Sequence, residues 1–292
     1  MVNGAELINA AELINGAKLM NGAELKDVAD PSHESLPVVI LCGGEGTRMQ
    51  GATTSKKELV TIGDQPILWH VMKIYAEYGH TRFILTLGHE GEAIKRYFLE
   101  YEPMNYDFTI PLGKPNAVSY HQSNAEENWR VTLADTGLDT AKGSRIYRAA
   151  KYIDRDTFFV TYGDGVGDID VEALLTFHRR HGRLATVTGV RPRSQYGILE
   201  TDQNDRVTSF GEKPKLDHWI NAGFMVFERG VLDYLSRGDD VDLERETMPL
   251  LAADEELMVY RHTGFWRSMD TFKDALALDK CWRESAPWKL WD

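Results

Sequence analysis

The sequence predicts an α/β fold, a Rossmann-like three-layer arrangement with a mostly parallel sheet between helices. Three observations lead there. Short β-branched runs end directly in glycines, as Pro37–Leu41 does at Cys42-Gly43-Gly44. Helical stretches with one apolar stripe alternate with those runs. A polar-alternating pair of strands around Gln203-Asn204-Asp205 interrupts the alternation and reads as a small β-hairpin insertion.

The elements follow in chain order. Pro37–Leu41 is a buried parallel strand, apolar on both faces. Pro66–Tyr78 is a helix: Pro66 suits its first turn, Gly79 its exit, and Ile67, Val71, Ile74, Tyr75 and Tyr78 form its stripe. Arg82–Leu87 is a second strand. Glu90–Tyr101 is a helix with Ile94, Tyr97, Phe98 and Tyr101 on one face. Thr157–Tyr162 is a strand running into Gly163-Asp164-Gly165. The helix Val171–His181 is stopped by Gly182, and the strand Leu184–Val190 follows. Residues 197–210 form the hairpin, Ile220–Phe227 resumes a buried strand, and Phe272–Trp282 closes the pattern as a helix.

The first 26 residues stand apart. They repeat a six-residue unit, Asn3-Gly-Ala-Glu-Leu-Ile and three variants of it. In a helix a six-residue step turns each leucine by about 240°, so no apolar face builds up. A β-helix of four such units would make little more than one coil. Residues 1–35 therefore read as a low-complexity repeat tail with a polar linker, or as a docking segment, and residues 36–292 as one α/β domain.

Composition narrows the function. The 292 residues carry a formal net charge of −12, which argues against nucleic acid, because phosphate-backbone binding needs a basic face. Local cations can still hold a small anion. Cys42 and Cys281 are too few for a disulfide framework or a structural zinc site, and Cys42, in an apolar run, reads as a buried thiol. No apolar stretch is long enough to span a membrane and no signal-peptide pattern opens the chain, so a cytoplasmic address is expected.

In open α/β sheets ligands bind beyond the carboxyl ends of the strands, and two loops stand there. Gly43-Gly44-Glu45-Gly46-Thr47-Arg48 offers backbone amides to an anion, with Arg48 as a cationic fork. It matches neither the dinucleotide fingerprint nor the P-loop, and a plain tight turn is the alternative. Tyr162-Gly163-Asp164-Gly165 places a carboxylate between glycines, suited to a hard cation such as Mg²⁺ or, more simply, to a turn. Asp168 or Asp170 is best read as the N-cap of the next helix. Asp270 either caps the last helix or is a second metal ligand. Glu212-Lys213-Pro214 places a lysine after the hairpin.

Together these pieces resemble the sugar-1-phosphate nucleotidyltransferases. The resemblance rests on Gly43-Gly-x-Gly-Thr-Arg48, Lys57, Tyr162-Gly-Asp-Gly-Val166, Glu212-Lys-Pro and Gly264-Phe-Trp-x-x-Met-Asp270-Thr. Pro66-Ile-Leu-Trp-His70, Val131-Thr-Leu-Ala-Asp-Thr-Gly137, Ile220-Asn-Ala-Gly-Phe224 and Ala286-Pro-Trp-Lys-Leu-Trp291 make it similar to the glucose-1-phosphate cytidylyltransferase branch. It runs from about Val38 to the C-terminus. The resemblance implies the nucleotide-diphospho-sugar transferase type of fold, CTP and a sugar 1-phosphate as substrates, Mg²⁺ as cofactor and a homo-oligomer, with residues 97–106 as a contact surface.

The resemblance also implies roles. Cys42, Gly43, Gly44, Gly46, Thr47, Arg48, Lys57, Arg145 and Gly163 would surround the nucleotide, with Arg48, Lys57 and Lys213 as the catalytic cations. Gly197, Glu212, Lys213, Asn221 and Gly223 would meet the sugar and its phosphate. Asp164 and Asp270 would hold Mg²⁺. In two places the chain departs from the pattern. The family's usual Lys-Pro-Lys-Pro or Ser-Lys run is here Ser55-Lys56-Lys57-Glu58, which leaves Lys56 as an alternative to Lys57. Val190-Arg-Pro-Arg-Ser-Gln-Tyr-Gly197 differs from the glucose enzymes, which leaves the sugar open. A non-catalytic nucleotide-sugar-binding relative and a metal-dependent glycosyltransferase are the competing classes.

Overall fold

The computed structural model describes residues 35–44, 56–112, 118–121, 126, 128–194 and 196–291. The repeat tail lies outside them. Seven strands form one sheet, in the spatial order Leu257–Arg261, Ala185–Val190, Ile220–Glu228, Thr157–Tyr162, Pro37–Leu41, Arg82–Leu87, Arg130–Asp135. All neighbours run parallel except Ile220–Glu228, which is antiparallel to both strands beside it.

Alternation along the central strand builds the three layers. Val38 and Ile40 face one apolar core with the helices Ile67–Ala76, Val171–His181 and Phe272–Glu284. Val39 and Leu41 face the other, which includes Ile146 and Ala149 of the helix Lys142–Ala149 and Val231 and Leu235 of the helix Val231–Leu235. A strand buried on both sides needs no polar face, which is why Pro37–Leu41 reads as an unbroken apolar run.

The expected helix Glu90–Tyr101 is two helices, Gly91–Leu99 and Tyr101–Asn105. Pro103 cannot donate to the Leu99 carbonyl, so the chain restarts and puts the proline in a first turn. Both edge strands, Arg130–Asp135 and Leu257–Arg261, lie outside the predicted elements. They are largely half-exposed or exposed and lack a continuous apolar run. The hairpin forms as Ile198–Thr201 with Val207–Gly211. Its turn is built on the Asp202 carboxylate, which accepts from the Asn204 and Arg206 amides at 2.9 and 3.1 Å.

Two of the family-like motifs serve packing. His70 is fully buried among Trp69, Trp282, Trp288 and Trp291, which joins the first helix to the C-terminal segment. The Trp288 indole donates to Nδ1 at 3.4 Å, so Nε2 carries the proton and donates to the Ile62 carbonyl at 2.8 Å. Burial pushes this imidazole down to about 4, consistent with that neutral tautomer. Among the described residues no helix is long and apolar enough to cross a membrane.

Candidate active site

At the carboxyl ends of the parallel strands a cleft of about 740 Å³ is lined by Gly43, Gly44, Lys57, Arg145, Asp164, Asn221 and Asp270, among others. A small antiparallel pair, Gly165–Gly167 with Trp266–Ser268, brings the two aspartates together across the sequence. The Met269 amide, donating to the Asp164 carbonyl at 2.9 Å, fixes the crossing. Asp270 is not the cap of the last helix. Thr271 is: its hydroxyl accepts from the Asp274 amide, and the Asp274 carboxylate accepts from the Thr271 amide. That leaves the Asp270 side chain to the cleft, where Ser268 Oγ donates to it at 3.0 Å. The N-cap of Val171–His181 is Asp170, accepting from the Ala173 amide at 2.8 Å, whereas Asp168 stands 2.9 Å from His262.

The two lysines have different surroundings. Lys57 Nζ lies 2.6 Å from Asp164 and 2.9 Å from Asp270. Burial alone would lower the pKa of this ammonium, but the charges and hydrogen bonds of the two aspartates outweigh burial and hold it above its ordinary value. Lys56 is buried behind the cleft and donates to the Gly44 carbonyl at 2.5 Å, with Glu58 at 3.8 Å. Cys42 is buried next to this pair. Burial raises its thiol well above the usual range, so it is no nucleophile, and the reading as a buried thiol fits.

Glu58 is only 6% exposed, and burial pushes its carboxyl up to about 7. Between the ordinary carboxyl range and about 7, the unfolded chain has released this proton while the folded chain keeps it. Stability therefore falls as pH rises through that window, by an amount of the order of 3 kcal/mol. Glu58→Gln is expected to remove that slope: its urea midpoint changes less than the parent's between about pH 5 and about pH 8. Parallel pH profiles would show instead that Glu58 ionises freely in the fold.

Arg145 braces the glycine loop. Its guanidinium donates to the carbonyls of Leu87, Gly137, Leu138 and Gly43 and to the Thr136 hydroxyl, all within 3.1 Å. A Cβ at Gly43 or Gly88 would collide with it, so both positions require glycine. The Gly43 carbonyl is held by Arg145, which turns the Gly44 N–H of the same peptide to the opposite side. Gly46, Thr47 and Arg48 lie outside the described residues. Gly163 packs its Cα over Cys42 and Glu58, where a side chain would crowd both.

The expected sugar-side residues divide. Asn221 lines the cleft and donates to the Tyr162 hydroxyl at 3.0 Å, while its carbonyl oxygen accepts from the Gly223 amide. Gly223 has φ 76°, and a side chain there would strike the Tyr162 ring, so its glycine has a backbone reason. Gly197, Glu212 and Lys213 sit on the hairpin and are not among the cleft-lining residues. Glu212 faces Gly197, and Lys213, well exposed, lies 3.6 Å from Glu212. Beside Tyr162, the first residue of the Tyr-Gly-Asp-Gly motif, the cleft also holds Lys142 and Glu244, which no motif announced. Glu244 is carried on a π-helical turn, Leu243–Thr247, and the only sequence signal is Asp242, whose carboxylate caps it.

A nucleotidyl transferase family model matches residues 37–279, from the central strand through most of the last helix. The chain belongs to that family. Within the nucleotidyl transferases it is 43% identical over 258 residues to a protein of Bacillus subtilis named probable glucose-1-phosphate cytidylyltransferase, covering 88% of this chain and 100% of the relative. It is 42% identical over 261 residues to the glucose-1-phosphate cytidylyltransferase of Salmonella typhi, with the same coverage. The fold is shared with the crystal structure of HddC from Yersinia pseudotuberculosis complexed with GMP-PN, at 20% identity and a TM-score of 0.59, covering 84% of this chain and 98% of that one. The expected family, enzyme class and fold are thereby shown.

Proposed function

We propose that this nucleotidyltransferase transfers a cytidylyl group from CTP to glucose 1-phosphate, releasing pyrophosphate and forming CDP-glucose. The observation that carries this reading is the convergence of Lys57, Asp164 and Asp270 beside Gly43 and Gly44, in a chain 43% and 42% identical to relatives named for that reaction. A sugar phosphate is already anionic near neutral pH, so its oxygen can attack the α-phosphorus without a general base. The bond to the bridging oxygen of pyrophosphate breaks as the new P–O bond forms. What the protein must supply is alignment and charge neutralisation.

In this reading Lys57 neutralises charge at the α-phosphate, and the Gly43–Gly44 segment with Arg48 cradles the leaving pyrophosphate. Arg145 acts on the nucleotide by holding that segment. Asn221 serves the sugar, while Gly197, Glu212, Lys213 and Gly223 border it from the hairpin and the neighbouring strand. Asp164 and Asp270 suit Mg²⁺: one ammonium reaches both, Ser268 orients the second, and two carboxylates plus substrate phosphates are this cation's usual protein complement. Bound there, Mg²⁺ would supply positive charge between two polyanions. With phosphorylated substrates we place the enzyme in the cytoplasm. We expect a homo-oligomer whose contacts include the exposed Leu99 and Met104, 81% and 73% accessible.

The test is pyrophosphate release from CTP, UTP, dTTP, ATP and GTP against a panel of sugar 1-phosphates. CTP with glucose 1-phosphate is expected to give the highest kcat/KM. Release with no pair, despite nucleotide binding, overturns the enzyme reading; a different best pair overturns the substrate assignment.

A further inference from the structure

We infer that Glu244 is a specificity-determining residue that accepts hydrogen bonds from substrate hydroxyls, on the ribose or on the hexose; this rests on the function proposed above. A carboxylate in a cleft for polyanions has the wrong sign for phosphate, so its presence there needs another account. The wall it occupies is a continuous hydrogen-bond chain. Asn221 donates to the Tyr162 hydroxyl at 3.0 Å, Tyr162 donates to Glu244 Oε1 at 2.6 Å, and Lys142 Nζ donates to the same oxygen at 2.6 Å.

The chain has a fixed direction. Burial first, and the Glu244 charge second, raise the Tyr162 phenol, so it stays protonated and acts as the donor to Glu244. Oε1 thus receives two donors, and Oε2 receives none from any described residue. An ionised carboxylate only accepts, so the group it can recognise is a donor, and hydroxyls are the most numerous donors both substrates offer. The carboxylate is also held in place. Asp242 accepts from the Glu244 and Arg245 amides at 3.0 and 2.7 Å, which fixes the π-helical turn, a distortion frequent at functional sites.

The experiment measures binding by calorimetry, so that it does not depend on turnover. The probes are CDP-glucose, its 2′-deoxyribose analogue and its 2-, 3- and 4-deoxyglucose analogues, against the parent chain and Glu244→Gln. Removing the recognised hydroxyl is expected to weaken binding to the parent by about 10- to 100-fold, the range for a hydrogen bond to a charged group. In Glu244→Gln that penalty should shrink to a few-fold at most, and the analogue affected says whether ribose or hexose is the source. Tyr162→Phe, which leaves Oε2 but removes one of the bonds that aim it, should reduce the penalty partway. If every probe is weakened equally by Glu244→Gln, or if no deoxy analogue is penalised in the parent, the inference is overturned. Absence of pyrophosphate release with intact CDP-glucose binding would instead fault the proposed reaction.

Discussion

Asp164→Asn is expected to lower kcat for pyrophosphate release by about 10³-fold, with the thermal midpoint nearly unchanged. Asparagine keeps the shape of the side chain but removes the charge that pairs with Lys57 at 2.6 Å. Lys57 retains Asp270 at 2.9 Å, and the pair is partly open to solvent, so folding loses little. Chemistry loses more, because several kcal/mol of charge stabilisation at the α-phosphorus corresponds to about three factors of ten in rate. Steady-state rates across a Mg²⁺ titration, beside a melting curve, separate the two effects. A rate within a few-fold of the parent would rule out Asp164 as a ligand of the proposed Mg²⁺.

The second large effect is expected at Lys57, and it divides the two neighbouring lysines. Lys57→Met should reduce kcat by about 10²- to 10³-fold with little change in nucleotide KM, since in the proposed reaction its ammonium would neutralise charge at the α-phosphate. Lys56→Met should act through the loop. Its Nζ lies on the Gly44 carbonyl, behind the cleft, so nucleotide KM is expected to rise while kcat falls much less. The pair of variants decides by contrast. The reverse ordering, a kcat loss at Lys56 and a KM loss at Lys57, would reassign the catalytic ammonium. The double variant Lys56→Met with Glu58→Gln tests whether Lys56 does more than neutralise Glu58: full recovery of KM would mean that it does not.

The residues show why parts of this fold were legible and others were not. Pro37–Leu41, Arg82–Leu87, Thr157–Tyr162 and Val171–His181 occupy the ranges their patterns predict, because each is apolar in the rhythm of its element and ends at a glycine or a polar loop. Helix Lys142–Ala149 has no apolar stripe to read, because its buried positions are Gly143, Ser144, Arg145, Ile146 and Ala149, of which only Ile146 is a large apolar side chain. Within the site, Asp164 and Lys57 stand in recognisable strings. The choice between cap and cleft for Asp270 needed the side-chain partners of Thr271. Lys142 carries no local signature, and Glu244 has only the capping Asp242 two residues before it. The fold alone brings both to Tyr162: Lys142 Nζ lies over its ring and Glu244 accepts from its hydroxyl.

Because Ile220–Glu228 runs against its neighbours, its beginning, not its end, reaches the cleft, and the preceding strand Ala185–Val190 finishes at the same place. The hairpin between them is therefore a detour that leaves and re-enters the sheet at one rim, closed at its stem where Ser194 N donates to the Pro214 carbonyl at 2.9 Å and Leu216 N to the Pro192 carbonyl at 2.9 Å. A segment inserted in this way can be lengthened, shortened or exchanged without disturbing strand order or either core. In the proposed reaction the hairpin's share of the acceptor contacts would therefore be a replaceable cassette, whereas the glycine loop is welded to the scaffold through Arg145.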